Sequence, residues 1–199
     1  MQEKNFEKYR TRGADYHWRE INIFNPISFN AYLKARYDTV SEAITEILKK
    51  NQAGRKELSI VDFGCGDGVQ LHVIRNSFRK RNKLNLYGID LSFEATEAAK
   101  KRLPEAEFRI ASTYESGFSD GFSDITISSD VIEHVLEPKR MLDEMIRITK
   151  PGGIIAIATP IRYTEVPLDP MHVQEFFPGQ FSKFLESPKA ETVLHILSH

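Results

Sequence analysis

Apolar and polar positions along this chain follow two rhythms, and the switches between them mark out its elements. Over residues 28–50, Phe29, Tyr32, Leu33, Tyr37, Val40, Ile44, Ile47 and Leu48 recur at intervals of three and four, which predicts a helix. Residues 51–57 (NQAGRKE) read as a loop with Gly54 as its stop signal. The run at 58–63 is short, apolar and β-branched, the pattern of a buried strand. Beyond it the spacing predicts a helix over 68–81, a strand over 84–89, a helix over 92–102 and a strand over 107–111. A strand over 123–129, a helix over 138–149 and a strand over 154–159 follow. Strands joined by helices of this length form right-handed parallel crossovers. The expected fold class is therefore α/β: a doubly wound, mostly parallel sheet with helices on both faces. Residues 1–57 form a helical preamble and candidate lid, and residues 58–199 the main domain. Ligands of such sheets sit beyond the carboxyl ends of the strands, so the segments just after each strand are where chemistry is sought.

The first of these segments is Val61-Asp62-Phe63-Gly64-Cys65-Gly66-Asp67-Gly68, three glycines at alternate positions between a strand and a helix. Missing side chains permit a tight turn and let a ligand lie against the main chain, near amides that have no helical partner. The spacing is GxGxG with an acidic residue two positions ahead, whereas the dinucleotide fingerprint is GxGxxG, so the loop fits a pyrophosphate less well. The second strand ends in Tyr87-Gly88-Ile89-Asp90-Leu91. This places the Asp90 carboxylate where two vicinal ribose hydroxyls could each donate to one oxygen.

Taken with Ser128-Ser129-Asp130-Val131-Ile132-Glu133-His134-Val135 and Lys150-Pro151-Gly152-Gly153, these segments resemble the successive motifs of class I S-adenosylmethionine-dependent methyltransferases. The resemblance covers residues 58–160, and more loosely 171–176, which resemble the segment opening the last helix of small-molecule members. It implies a Rossmann-like methyltransferase fold and S-adenosyl-L-methionine as cofactor. Asp62 would lie near the methionine amino group, with Gly64, Cys65 and Gly66 along the methionine and ribose. Asp90 would take the ribose hydroxyls, Leu91 one adenine face and Thr113 the adenine edge, while Ser129 and Asp130 would approach the sulfonium.

Two departures stand out. Ser112 occupies the position where many relatives carry an aspartate for the adenine amino group, and an uncharged acceptor contributes less. The family sheet closes with an antiparallel hairpin, and this chain offers one strand, residues 192–197, so the last strand is expected to be missing.

Composition narrows the partners. A net charge of −1 gives no field to attract a polyanion, so no nucleic acid is expected, and the basic run at 75–83 reads as a solvated helix end. The N-terminal twenty residues are charged throughout, which argues against a leader or membrane segment. With one cysteine, Cys65, a reducing cytoplasmic setting fits, and Cys65 reads as a small buried filler. Asp67 reads as a cap for the next helix.

His134 and His172 are the candidate catalytic residues, a general base and a substrate contact, with Asp169 close enough to orient the second imidazole. Two separated histidines argue against a metal site. Tyr16, His17 and Trp18 read as packing or as a lid over the acceptor pocket. The resulting expectation is methyl transfer to a small-molecule acceptor, with a homodimer as the candidate assembly. The alternatives are a non-catalytic methyltransferase-like binding module and, less well matched, a nicotinamide-dependent oxidoreductase.

Overall fold

In the computed structural model, which describes residues 7–51, 57–78, 83–166, 168–186 and 193–198, the two rhythms become helices and strands. Ahead of the sheet come α1 (Glu7–Arg12), α2 (Tyr16–Glu20) and α3 (Ala31–Asn51). The main domain runs β1 (Glu57–Phe63), α4 (Val69–Phe78), β2 (Lys83–Asp90), α5 (Phe93–Arg102), β3 (Glu107–Ile110) and β4 (Ser123–Ser129). It continues through α6 (Pro138–Ile148), β5 (Thr149–Pro160), α7 (Pro178–Leu185) and β6 (Val193–Ser198).

The strands form one six-stranded sheet in the order β3-β2-β1-β4-β5-β6, and every pairing is parallel. The order reverses between β1 and β4, which opens a crevice beyond their carboxyl ends. The period of two along each strand feeds two cores. Leu58, Ile60, Ile125, Ile127, Ile154 and Ala156 turn to one face and pack against Val40 and Ile44 of α3, Leu71 and Ile74 of α4, and Ala99 of α5. Val61, Phe63, Ile89, Ile155 and Ile157 turn to the other, against Met141, Leu142 and Met145 of α6 and Phe181 of α7. Each of these large side chains, buried completely, stabilises the fold by about 1.5–3 kcal/mol.

Several boundaries differ from the spacing. α3 begins at Ala31 rather than at 28, because Asn30 ends the turns before it and its Oδ1 accepts from the Leu33 N–H at 3.0 Å. The last helix starts at Pro178, a residue suited to the first helical position, so 171–176 remain a loop. The antiparallel hairpin that closes the family sheet is not found among the described residues, where β6 instead pairs parallel with β5 from Ile155↔Val193 to Pro160↔Ser198. Parts of four expectations lie outside the described residues: most of the 51–57 loop, the end of the helix at 79–81, residues 79–82 of the basic run, and residue 192 of the last strand. Two ends of the basic run are paired, Arg75 with Glu105 at 2.5 Å and Lys83 with Glu57 at 2.9 Å. Among the described residues no helix is long and apolar enough to cross a membrane.

Candidate active site

The crevice holds a cavity of about 310 Å³, at the low end of small-molecule sites. One end is walled by the loops after β1 and β2. Asp62, Gly64, Cys65 and Gly66 come from the first, Asp90 and Leu91 from the second, with Ala111 and Thr113 beyond β3.

Gly64 and Gly66 both have positive φ, 69° and 51°. A Cβ on Gly64 would lie 2.4 Å from Val131, and one on Gly66 would lie 1.9 Å from the Tyr9 hydroxyl, so neither position tolerates a side chain. Asp90 accepts from the Gly66 N–H at 2.9 Å and the Ser92 N–H at 2.8 Å, one on each oxygen. A carboxylate has about four lone-pair sites, so both oxygens keep acceptor capacity. Burial raises the Asp90 pKa, while the two backbone bonds oppose it.

Asp62 is 2% exposed, and its Oδ2 has no hydrogen-bond partner. Burial, and then the neighbouring Asp90, push its carboxyl well above the carboxylate range. A buried carboxylate on a cavity wall with an unmade bond is costly unless a donor or cation meets it. Cys65 is buried, its thiol pKa raised by burial, and its Sγ together with the Phe108 ring excludes a side chain at Gly88, where a Cβ would lie 2.7 Å from each.

The opposite end is walled by Ser129, Asp130, Val131 and His134 after β4 and by Asn30, Leu33, Arg36 and Tyr37 from the preamble. Asp130 takes a positive φ of 57°, sparsely populated by residues other than glycine, and pairs with Arg36 at 2.9 Å. Ser129 Oγ donates to Gln70 Oε1 at 3.1 Å. Glu133, 1% exposed, accepts from Thr159 Oγ1 at 2.9 Å, and burial together with the nearby Asp130 holds its carboxyl well above the usual range.

The loop after β5 is bound back to this end. The N–H groups of Val173 and Gln174 both donate to the Glu133 carbonyl, at 2.9 and 3.3 Å, and Gln174 Nε2 donates to the Ile132 carbonyl at 2.8 Å. Glu175 Oε1 accepts from Leu168 N–H, Asp169 N–H and His172 Nδ1, at 2.8, 3.1 and 2.7 Å. Burial alone would raise the Glu175 pKa; the bonds from His172 and the two amides outweigh it and lower it.

The preamble closes the roof. Asp67, fully buried, accepts from the His17 N–H at 3.2 Å and meets His17 Nδ1 at 3.0 Å, while its carbonyl accepts from Trp18 Nε1 at 2.6 Å. Tyr16 packs on His17 with ring centroids 3.8 Å apart, and Arg102 of α5 lies 4.8 Å above the Trp18 ring. Burial, then Asp90 and Asp67, raise the Tyr9 phenol well above its ordinary value.

Of the residues singled out from sequence, Asp62, Gly64, Cys65, Gly66, Asp90, Leu91, Thr113, Ser129, Asp130 and His134 line one cavity. Ser112 and His172 do not. The Ser112 hydroxyl is turned into its own loop, where it accepts from the Tyr114 N–H at 3.1 Å, and Ala111 lines the wall instead. His172 sits behind His134 with ring centroids 4.9 Å apart, and its partner is Glu175, not Asp169, which accepts from the Met171 N–H. Asp67 anchors the preamble and has a larger part than a helix cap. Sequence reasoning missed Tyr9, Arg36, Gln70 and Glu175; the periodicity of 28–50 put Tyr37 on a core face, and Arg36 beside it carried no signal of its own.

Comparison with known proteins agrees with this geometry. Residues 61–157 match the family model described as a methyltransferase domain. A probable S-adenosylmethionine-dependent methyltransferase of Mycolicibacterium smegmatis is 26% identical over 151 residues, 73% of this chain and 56% of that protein. The ubiquinone/menaquinone biosynthesis C-methyltransferase UbiE of Campylobacter jejuni is 32% identical over 105 residues, 52% of this chain and 45% of that protein. The chain thus spans about half the length of these curated relatives. Among solved structures, a phosphoethanolamine N-methyltransferase of Haemonchus contortus, in complex with phosphomonomethylethanolamine and S-adenosylhomocysteine, superposes with a TM-score of 0.65 at 18% identity, covering 92% of this chain and 43% of that one. Residues 61–157 thus match a methyltransferase domain, and the comparisons together support a class I S-adenosylmethionine-dependent methyltransferase. The methyl donor of that family is S-adenosyl-L-methionine.

Proposed function

We propose that this chain transfers a methyl group from S-adenosyl-L-methionine to a small-molecule acceptor in the cytoplasm, with the donor lying along the loops after β1 and β2. The observation that carries the reading is Asp62, a buried carboxylate on the cavity wall with an unpartnered oxygen, set beside two side-chain-free glycines and the Asp90 carboxylate. An ammonium group satisfies Asp62, and paired hydroxyls satisfy the remaining lone pairs of Asp90. Leu91 and Thr113 offer an apolar slot for a flat ring, and Cys65 supports the loop from beneath.

Bound in this way, the cofactor supplies a methyl group on a positively charged sulfur. The acceptor's lone pair forms a bond to the methyl carbon as the carbon–sulfur bond breaks and its electrons return to sulfur. What the protein adds is alignment and exclusion of water. Ser129, Asp130 and His134 join Tyr16, Arg36 and Tyr37 around the acceptor end. That end, a small cavity lined by tyrosine side chains, suits a small molecule better than a polymer. Both α1 and α2 act as the lid, since a donor and an acceptor together need more than the present volume and Tyr9 has to retract from Gly66.

Isothermal titration with S-adenosylmethionine, S-adenosylhomocysteine and NAD tests the reading. Binding of the two adenosyl ligands and not of NAD is expected. A folded protein that binds neither would be a degenerate scaffold, and the reading would fail.

A further inference from the structure

We propose that Glu133, His134 and His172 form a binding site for a divalent transition-metal cation at the acceptor end of the cavity. One potential ligand atom from each of the three lies within 4.8 Å of the others. A tetrahedral set at zinc-like bond lengths of about 2.1 Å needs ligands roughly 3.4 Å apart, so small side-chain rotations close the set.

Both imidazoles are already held in the form a metal requires. Nδ1 of His172 lies 2.7 Å from Glu175 Oε1, and Nδ1 of His134 lies 3.3 Å from the Met171 carbonyl. An acceptor at Nδ1 places the ring proton there and the lone pair on Nε2. A carboxylate or a backbone carbonyl on the distal nitrogen is the usual support of metal-bound histidine. Glu175 Oε1 gathers two backbone N–H groups and one imidazole, which fixes that imidazole's orientation, while Oε2 lies 3.5 Å from Arg162 Nη1.

The carboxylate in the set is a buried one. Glu133 is 1% exposed and has Asp130 close by, so a cation there would offset a desolvated charge that one hydroxyl bond from Thr159 compensates only in part. The backbone supports rigidity as well. Ligands on the β4 and β5 loops are held in register by the two N–H groups donated to the Glu133 carbonyl.

Two imidazoles and one carboxylate favour zinc, iron(II), manganese or cobalt over magnesium. Three protein ligands leave a position open, and His134 lines the cavity, so the open position faces the acceptor. That last step rests on the methyltransferase reading above; the site itself does not. A coordinated His134 has no lone pair for a proton, so the site replaces its sequence-based role as general base.

The test uses the whole chain, stripped with a chelator and then titrated with Zn²⁺ or Co²⁺ under equilibrium dialysis, with the visible spectrum of the Co²⁺ form. One equivalent is expected, with ligand-field bands of a histidine-ligated centre. His172→Ala is expected to weaken binding by a hundredfold or more, and Glu175→Gln by about 10–100-fold through loss of orientation. His72→Ala, outside the cluster, should change nothing. Glu133→Gln sits in the core and can disturb folding, so the loop variants decide. A parent that takes up neither ion, or a His172→Ala chain that binds as tightly as the parent, overturns the site. Titration of the same samples with S-adenosylhomocysteine separates the two readings: binding of that ligand without metal overturns the site alone, and metal without that ligand supports the site while overturning the methyltransferase reading.

Discussion

The two ends of the cavity are assembled by different means. At the donor end, Asp62, Gly64, Gly66, Asp90 and Leu91 come from two short strand-end loops, and what matters there is backbone shape and two carboxylates. At the acceptor end the wall is made from three distant stretches, the preamble, the start of α4 and the β4 loop, with the loop after β5 bonded behind them. Pairs such as Arg36 with Asp130 and Asp67 with His17 join parts of the chain that no local pattern relates. A cofactor shared by a family can be met by local motifs, whereas an acceptor is met by side chains gathered from wherever the fold brings them.

The largest effect that would sharpen this contrast is at Asp90. Asp90→Ala should lower S-adenosylhomocysteine affinity by a hundredfold or more by calorimetry and leave the chain folded. Undiminished binding would break the assignment of that end. Next is Asp62→Asn, expected to weaken the donor by about tenfold to a hundredfold, as loss of a charge-assisted bond.

Asp62 also has a pH signature. Its folded pKa is raised, so the ligand-free chain binds a proton that the unfolded chain releases near pH 3.9. This contribution to stability is present below about pH 3.9 and is lost as pH rises through the folded pKa. An ammonium ligand favours the ionised form, so donor binding should release a proton in that window. Calorimetry in buffers of different ionisation enthalpy measures it, and Asp62→Asn should abolish it.

Smaller again is the anchor of the preamble. Asp67→Ala removes acceptors for His17 and should cost about 1–3 kcal/mol in denaturant unfolding, with a larger change in donor kinetics than in fold. Least of all, Ser112→Ala should shift donor affinity by less than about 0.5 kcal/mol, since its hydroxyl serves its own turn. A larger loss would put Ser112 at the cofactor after all.

The same contrast explains what was legible in the sequence. Element order, the two-faced sheet and the glycine turn after β1 could be read because they depend on periodicity and on glycine at positive φ, both local properties. Strand β5 runs five residues further back than its apolar core, because Thr149 pairs with Ser123 across an irregular register. That is a property of the partner strand. Asp169 and Glu175 lie three residues either side of His172, so spacing does not choose between them; the loop folds so that Glu175 reaches the ring and Asp169 turns to Met171. Tyr9 gave no sign at all, since its position over Gly66 depends on how α1 and α2 are tied to Asp67.

Tyr9 over Gly66 has a kinetic consequence. If the phenol must leave before the donor can settle, capture proceeds from a minor open form, and the observed rate levels off with rising donor concentration instead of climbing in proportion. Stopped-flow mixing should show that plateau in the parent and a straight line in Tyr9→Ala. The first residues of the chain would then govern how fast the enzyme loads, and the glycine loop how tightly it holds.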